Sequence, residues 1–178
     1  MYKNKIIYQD NKILKFLIES PKYGNKEIII DTEDWDKINK YKWCIRYNKI
    51  TDKFYVLSNS YSKMVQLHRL IMNVCSPEIK IDHESGDTFD NRKYNLRRCT
   101  SSQNSHNYRK PKNNKSGYKG VAWHKNHSKW QAIIQINKKQ IHLGYFTDKI
   151  KAALAYNKAA IKYHGEFARL NNIEEYNV

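Results

Sequence analysis

The chain lacks any apolar run of about 18 residues, so no segment of it is a candidate membrane-spanning helix. Its first residues, MYKNKIIYQDNK, carry neither the apolar stretch nor the small-residue cleavage site of a signal peptide, and a cytoplasmic, non-secreted protein is expected. Cysteine is scarce. Cys44, Cys75 and Cys99 lie far apart and form no CxxC pair, which argues against a zinc finger and against a disulfide framework; reduced, mostly buried thiols are expected. Acidic residues are missing from one long stretch: from Asn91 through Thr147 there is no Asp or Glu, whereas 13 Lys and Arg occur there. That stretch carries +13 against a net charge of +16, while residues 1–66 set 13 bases against 8 acids and add only +5. Charge gathered in one region points to a nucleic acid phosphate backbone more than to general solubility.

What is present reads as an α+β protein of several parts. Residues 1–66 are β-rich: KEIIID, KWCIRYN and KFYVLSNS have strand composition, and DTEDWDKINKY between them reads as a short helix capped by Asp31 or Thr32. This module is expected to be scaffold or an auxiliary DNA contact. In MVQLHRLIMNVC, residues 64–75, Leu67, Leu70, Ile71 and Val74 recur at helical spacing. His68 within it is either a satisfied buried histidine or a contact near a phosphate. Residues 109–116, RKPKNNKS, have the composition of a basic linker.

Residues 117–172 read as three strands and a helix. Trp130, Ala132, Ile134 and Ile136 share one strand face and Gln131, Ile133 and Gln135 the other. Ile141, Leu143 and Tyr145 are expected to oppose Gln140, His142 and Gly144, with Asn137-Lys138 as the hairpin turn. The helix is expected from about Asp148 to His164, with Thr147 as N-cap, Gly165 as its stop and Ile150, Ala153, Leu154, Asn157 and Ile161 as the apolar stripe.

The most informative run is IDHESGDTFDNRKYNLRRCTSSQN. It places Asp82, His83, Asn91, Asn95 and Asn104 close together in sequence, inside an acidic knot of Glu78, Asp82, Glu84, Asp87 and Asp90. A carboxylate and an amide offer hard oxygen ligands, and an imidazole can take a proton from water near neutral pH. A carboxylate cluster beside a long cationic stretch suits a metal ion next to a bound polyanion.

LHRLIM at 67–72, IDH at 81–83, DNRKYNL at 90–96 and QN at 103–104 together resemble the HNH nuclease family, in the form carried by phage and intron-encoded homing endonucleases. The resemblance implies a ββα-metal nuclease core at residues 67–108. It implies that Asp82 and Asn104 bind one divalent cation per chain, Mg²⁺ or Mn²⁺, and that His83 is the general base. It also implies that Asn95 closes the loop and orients His83, and that Asn91 and Arg92 brace the loop or touch phosphate. Asn104 stands where a second family histidine is common, and its amide oxygen favours a harder ion than zinc.

GYKGVAWH, KWQAII, HLGYF, AALAYNKAAIKYHG and FARLN resemble the plant APETALA-type (ethylene-response-factor, ERF) DNA-binding domain over nearly all of 117–172. That likeness implies a three-stranded antiparallel sheet packed on one helix, with the sheet entering the major groove. Matching positions place Lys119, Ala122, His124, Ile133, Gln135, Gln140 and His142 toward DNA. Most family arginines are replaced, so bidentate guanine contacts are largely missing and Gln135 and Gln140 are left to read adenine. Further cationic contacts are assigned to Arg69, Arg92, Arg97, Arg98, Arg109 and Lys110.

The expected activity is metal-dependent nicking or cleavage of double-stranded DNA at a preferred site, as by a homing endonuclease acting inside a host cell. The chain is expected to act as a monomer on DNA, with dimerisation as the route to double-strand cutting. A non-catalytic DNA-binding regulator built on the ERF-like domain is the alternative, and a nuclease acting on RNA a third reading.

Overall fold

In the computed structural model residues 4–49, 51–59, 64–108 and 114–173 are described, and they form an α+β protein of two compact units, 1–100 and 101–178. The expected contacts Arg109 and Lys110, and most of the expected linker, lie outside the described residues.

The first unit opens with β1 (Lys5–Gln9), β2 (Ile13–Ile18) and β3 (Lys26–Asp31), an antiparallel sheet in that order. Every second residue of β2 is buried, which sends Leu14, Phe16 and Ile18 to one side. A 3-10 turn, Thr32–Asp34, leads into the short helix α1 (Trp35–Ile38). Strands β4 (Cys44–Asn48), β5 (Lys53–Ser58) and β6 (Val65–Gln66) make a second antiparallel sheet. Helix α2 (Leu67–Ile71) follows directly, shorter than its apolar spacing predicts, because Asn73 takes a left-handed backbone with φ 52° and turns the chain. Strands β7 (Lys80–His83) and β8 (Leu96–Cys99) pair antiparallel from Lys80↔Cys99 to His83↔Leu96.

One hydrophobic cluster runs through this whole unit. Leu14, Phe16, Ile28 and Ile30 from the first sheet pack with Ile45 and Val56 from the second, with Leu67 and Ile71 of α2, and with Ile81 and Leu96 of the β7–β8 pair. At about 1.5–3 kcal/mol for each large apolar side chain fully buried, this cluster is what fixes the β7–β8 hairpin against the N-terminal strands. The cysteines depart from expectation: Cys99 is buried, but Cys44 and Cys75 are exposed, all three as free thiols.

The second unit begins with α3 (Ser101–His106) and continues with β9 (Val121–His124), β10 (Lys129–Ile136) and β11 (Lys139–Phe146), a sheet ordered β11-β10-β9. Asn137 and Lys138 both hold positive φ, 49° and 65°, the geometry of a tight two-residue hairpin. Helix α4 (Lys149–His164) covers one sheet face. Its cap is Asp148, not Thr147: the Asp148 carboxylate accepts from the Ile150 N–H at 2.8 Å. Gly165 ends it as expected, at φ 55°.

Two further expectations fail here. The buried face of α4 is Ala152, Ala153, Tyr156, Ala159, Ala160 and His164, whereas Leu154 and Ile161 are 52% and 60% exposed. Methyl groups let the helix lie near the sheet, and bulkier side chains are turned outward. On β11 a bulge at Gly144, φ 137°, shifts the register against β10 between Ala132 and Ile133. Leu143 packs into the core, but Tyr145 is carried to the opposite face, where its ring lies 4.2–5.1 Å from those of His124, His127 and His142.

Candidate active site

Asp82 and His83 end β7 and are almost fully buried, 1% and 4% exposed. The chain then loops from Glu84 to Arg92 and returns through a 3-10 turn, Lys93–Asn95, into β8. Gly86, at φ 77°, makes the first bend and donates to the His83 carbonyl at 2.8 Å.

Asn95 ties this loop at four points. Its side-chain oxygen accepts from the Ser85 N–H at 2.9 Å, and its amide donates to the carbonyls of Asp90 at 2.7 Å and Asp87 at 3.4 Å. Its own carbonyl accepts from the Glu84 N–H at 2.9 Å. Arg92 also braces the loop, donating to Asp90 at 2.6 and 2.9 Å. Burial alone would raise the Asp90 carboxyl, but the bonds from Arg92 outweigh it and hold its pKa below the ordinary value.

The imidazole of His83 meets the Asn91 side chain, Nε2 to Oδ1, at 3.2 Å. The other end of the Asn91 amide donates to the carbonyls of Thr88 and Phe89, each at 3.2 Å. Those two carbonyls leave Oδ1 facing His83, so Nε2 is the nitrogen that donates and Nδ1 carries the lone pair. Burial lowers the His83 pKa, and the Asn91 bond opposes this only in part. The imidazole is therefore neutral at pH 7, the form a base requires.

Asp82 is paired with Arg97, its Oδ2 lying 2.9 Å from Nη2 and 3.2 Å from Nε. The two residues are cross-strand partners in the β7–β8 pair. Of the other expected cationic contacts, Arg69 donates to the carbonyls of Ile79 and Ser76, and Arg98 to that of Met72. All four arginines assigned here to DNA thus make contacts within the first unit. Among the described residues no group of three or more His, Cys, Asp and Glu side chains is arranged to hold a metal ion. No helix among them is long and apolar enough to cross a membrane.

In the second unit Asn104 lies on α3. Gln135 and Gln140 face each other across β10 and β11, and His142 pairs with Ile133, all on the face away from α4. His124 lies on the same face, with Nδ1 buried and without a hydrogen-bond partner. Lys119 is placed differently. Its ammonium donates to the carbonyl of His106, and burial lowers its pKa to about 8.

Protein 3.8 of Escherichia phage T7 is 33% identical to this chain over 89 residues, which is 50% of the chain and 73% of the phage protein. The chain belongs to the family of phage T7 protein 3.8. It is also similar to plant proteins: 38% identical over 69 residues to APETALA2-like protein 2 of Oryza sativa subsp. indica, and 36% over 63 residues to the AP2-like ethylene-responsive transcription factor TOE2 of Arabidopsis thaliana. These matches take in 38% and 35% of the chain but only 16% and 13% of the plant proteins. No protein-family model matches the chain, and no solved structure matches it.

Two neighbours of the site in this protein 3.8 relative carry no local signal of their place: Arg97, expected at DNA, is set opposite Asp82 by hairpin pairing alone. His68, in the first turn of α2, packs its ring edge-on to His83 with centroids 5.3 Å apart. Burial, with the nearby His83 adding to it, pushes the His68 pKa down to about 3 from 6.5. The sign of its effect on stability follows. Below pH 6.5 the unfolded chain takes up a proton at this position that the folded chain refuses, so stability falls with pH from 6.5 toward 3. The slope is up to about 1.4 kcal/mol per pH unit for one such group. Thermal melts across this window should show the decline, and His68→Phe should remove its share; identical pH profiles for the two proteins would rule this out.

Proposed function

We propose that this protein 3.8 family member is an HNH-type endonuclease that nicks or cleaves double-stranded DNA at a preferred site with the help of one Mg²⁺ or Mn²⁺ ion per chain. The observation that carries the reading is the neutral, buried His83, held by Asn91 in a fixed tautomer, next to the Asp82 carboxylate in a loop closed by Asn95. Cleavage of a phosphodiester needs a base for water and a cation for the phosphate, and these are the residue types present.

On this reading Asp82 offers one hard oxygen ligand, which is paired with Arg97, and the resemblance to HNH nucleases names the amide oxygen of Asn104 as the other. When bound, such an ion supplies positive charge to the scissile phosphate and the departing 3′ oxygen. The chain's own residues do the rest. Asn91 keeps the His83 proton on Nε2, and Nδ1 accepts the proton of the attacking water. Asn95 keeps the loop from opening.

The second unit is proposed as the DNA reader. Its likeness to a plant transcription factor and its polar sheet face, with Gln135, Gln140, His124 and His142, support this. Neutralising roughly six phosphates would make log affinity fall against log salt with a slope near −5. A filter-binding series from low to high KCl measures it, and a slope near zero removes the polyanion argument. One observation favours the non-catalytic regulator instead: the Asp82–Arg97 pair engages the carboxylate that a metal would need. Incubation with supercoiled plasmid, with and without Mg²⁺, separates the two. Metal-dependent nicking supports the nuclease; absence of nicking with intact DNA binding supports the regulator.

A further inference from the structure

We propose that Asp31, at the end of β3, is a positioning residue that holds the turn from which Asn91 and Asn95 reach the His83 loop. The proposal rests on the nuclease reading above. Strand β3 runs beside the loop as a short parallel partner. The Ile29 N–H donates to the Phe89 carbonyl at 2.9 Å, and the Ile29 carbonyl accepts from the Asn91 N–H at 2.7 Å, bracketing Asp90. Two residues further along each chain the next rung falls due, between Asp31 and Lys93. There the backbone of Thr32–Asp34 turns away into its 3-10 coil, and the side chain takes over: Oδ2 of Asp31 accepts from the Lys93 N–H at 2.7 Å.

Lys93 opens the Lys93–Asn95 turn. The residue before it, Arg92, gives that turn no side-chain cap, because a guanidinium carries only donors and cannot accept from an N–H. Asp31 supplies the missing acceptor from the far side of the sequence. This bond differs in kind from the pairing of the Lys93 ammonium with Glu33 and Asp34. Those contacts hold the tip of a flexible side chain, whereas Asp31 grips the main chain. Since Asn91 and Asn95 flank Lys93, a slip of this rung moves the amide that fixes His83 and the one that closes the loop.

Small displacements of a base from its line of attack cost large factors in rate. Asp31→Ala should therefore lower kcat for plasmid nicking at least about tenfold while KM for DNA stays within about twofold, because Asp31 touches no substrate. Asp31→Asn keeps an oxygen that can accept the Lys93 N–H and should recover most of the rate. Amide hydrogen exchange, read without any activity, should show Lys93 losing protection in Asp31→Ala and keeping it in Asp31→Asn. Wild-type rates in Asp31→Ala, equal impairment of the two variants, or unchanged protection of Lys93 would each overturn the proposal. If the wild-type protein nicks nothing, the nuclease reading fails by itself, and the exchange measurement still decides whether Asp31 holds the turn.

Discussion

Plasmid nicking by His83→Ala protein is expected to fall by about 10² to 10⁴, the range that a positioned general base contributes. His83 is buried and its pKa is lowered by that burial, so the ring is neutral, the form a base requires. Asn91 is anchored by the carbonyls of Thr88 and Phe89 and by its own N–H to Ile29, so it cannot rotate to follow a displaced ring. The imidazole is thus held in one tautomer before substrate arrives, and His68, packed edge-on to it, is itself buried and neutral. DNA affinity should stay within about twofold of wild type, since a residue 4% exposed gives the phosphate backbone little to hold. Removing the ring leaves the Asn91 oxygen without its buried partner, a cost of about 1–3 kcal/mol, so melting must be followed alongside. A variant that folds, binds DNA and still nicks at the wild-type rate would end the assignment of His83 as base.

Gly120→Ala should unfold the second unit or nearly so. A Cβ at Gly120 would stand 2.0 Å from Cδ2 of Tyr156 and 2.7 Å from the carbonyl oxygen of Ile133. Neither neighbour can move cheaply. Tyr156 is buried on the inner face of α4, and the Ile133 backbone is fastened to Gly120 itself by its N–H to the Gly120 carbonyl at 2.8 Å. The φ of 74° adds a conformational cost that only glycine escapes. Overpacking at about 1–3 kcal/mol and a strained backbone at about 1–3 kcal/mol are together a large part of the stability of a small domain. Circular dichroism should show the transition of this unit lowered by more than about 10 °C, with DNA binding lost in parallel. A midpoint within about 2 °C of wild type would mean that α4 does not lie as close to the sheet as described.

Much of this architecture is visible in the residues themselves. KEIIID, KWCIRYN and KFYVLSNS do become strands, Asn137-Lys138 does turn a hairpin, and Gly165 does stop the long helix. Pattern fails where three-dimensional closeness overrules it. Leu154 and Ile161 look like core on a helical wheel, yet the alanines beside them are what fit under the sheet. Tyr145 alternates correctly with its neighbours until the bulge at Gly144 reverses the count. Asp31 looks like a helix cap and serves a backbone 62 positions away. In the candidate site the loop residues Asn91 and Asn95 are legible because they act locally. The partners of Asp82 and His83, Arg97 and His68, come from pairing and packing that no local pattern encodes.

The single cluster joining Phe16 and Ile28 to Ile81 and Leu96 has a consequence for engineering. The hairpin that bears Asp82 and His83 is no portable cassette. Lifted out and grafted onto another DNA-binding protein, it would arrive without the strands that supply most of its apolar floor. Any transfer of this segment must carry the preceding sixty-odd residues as luggage, or find a host surface that offers the same shape.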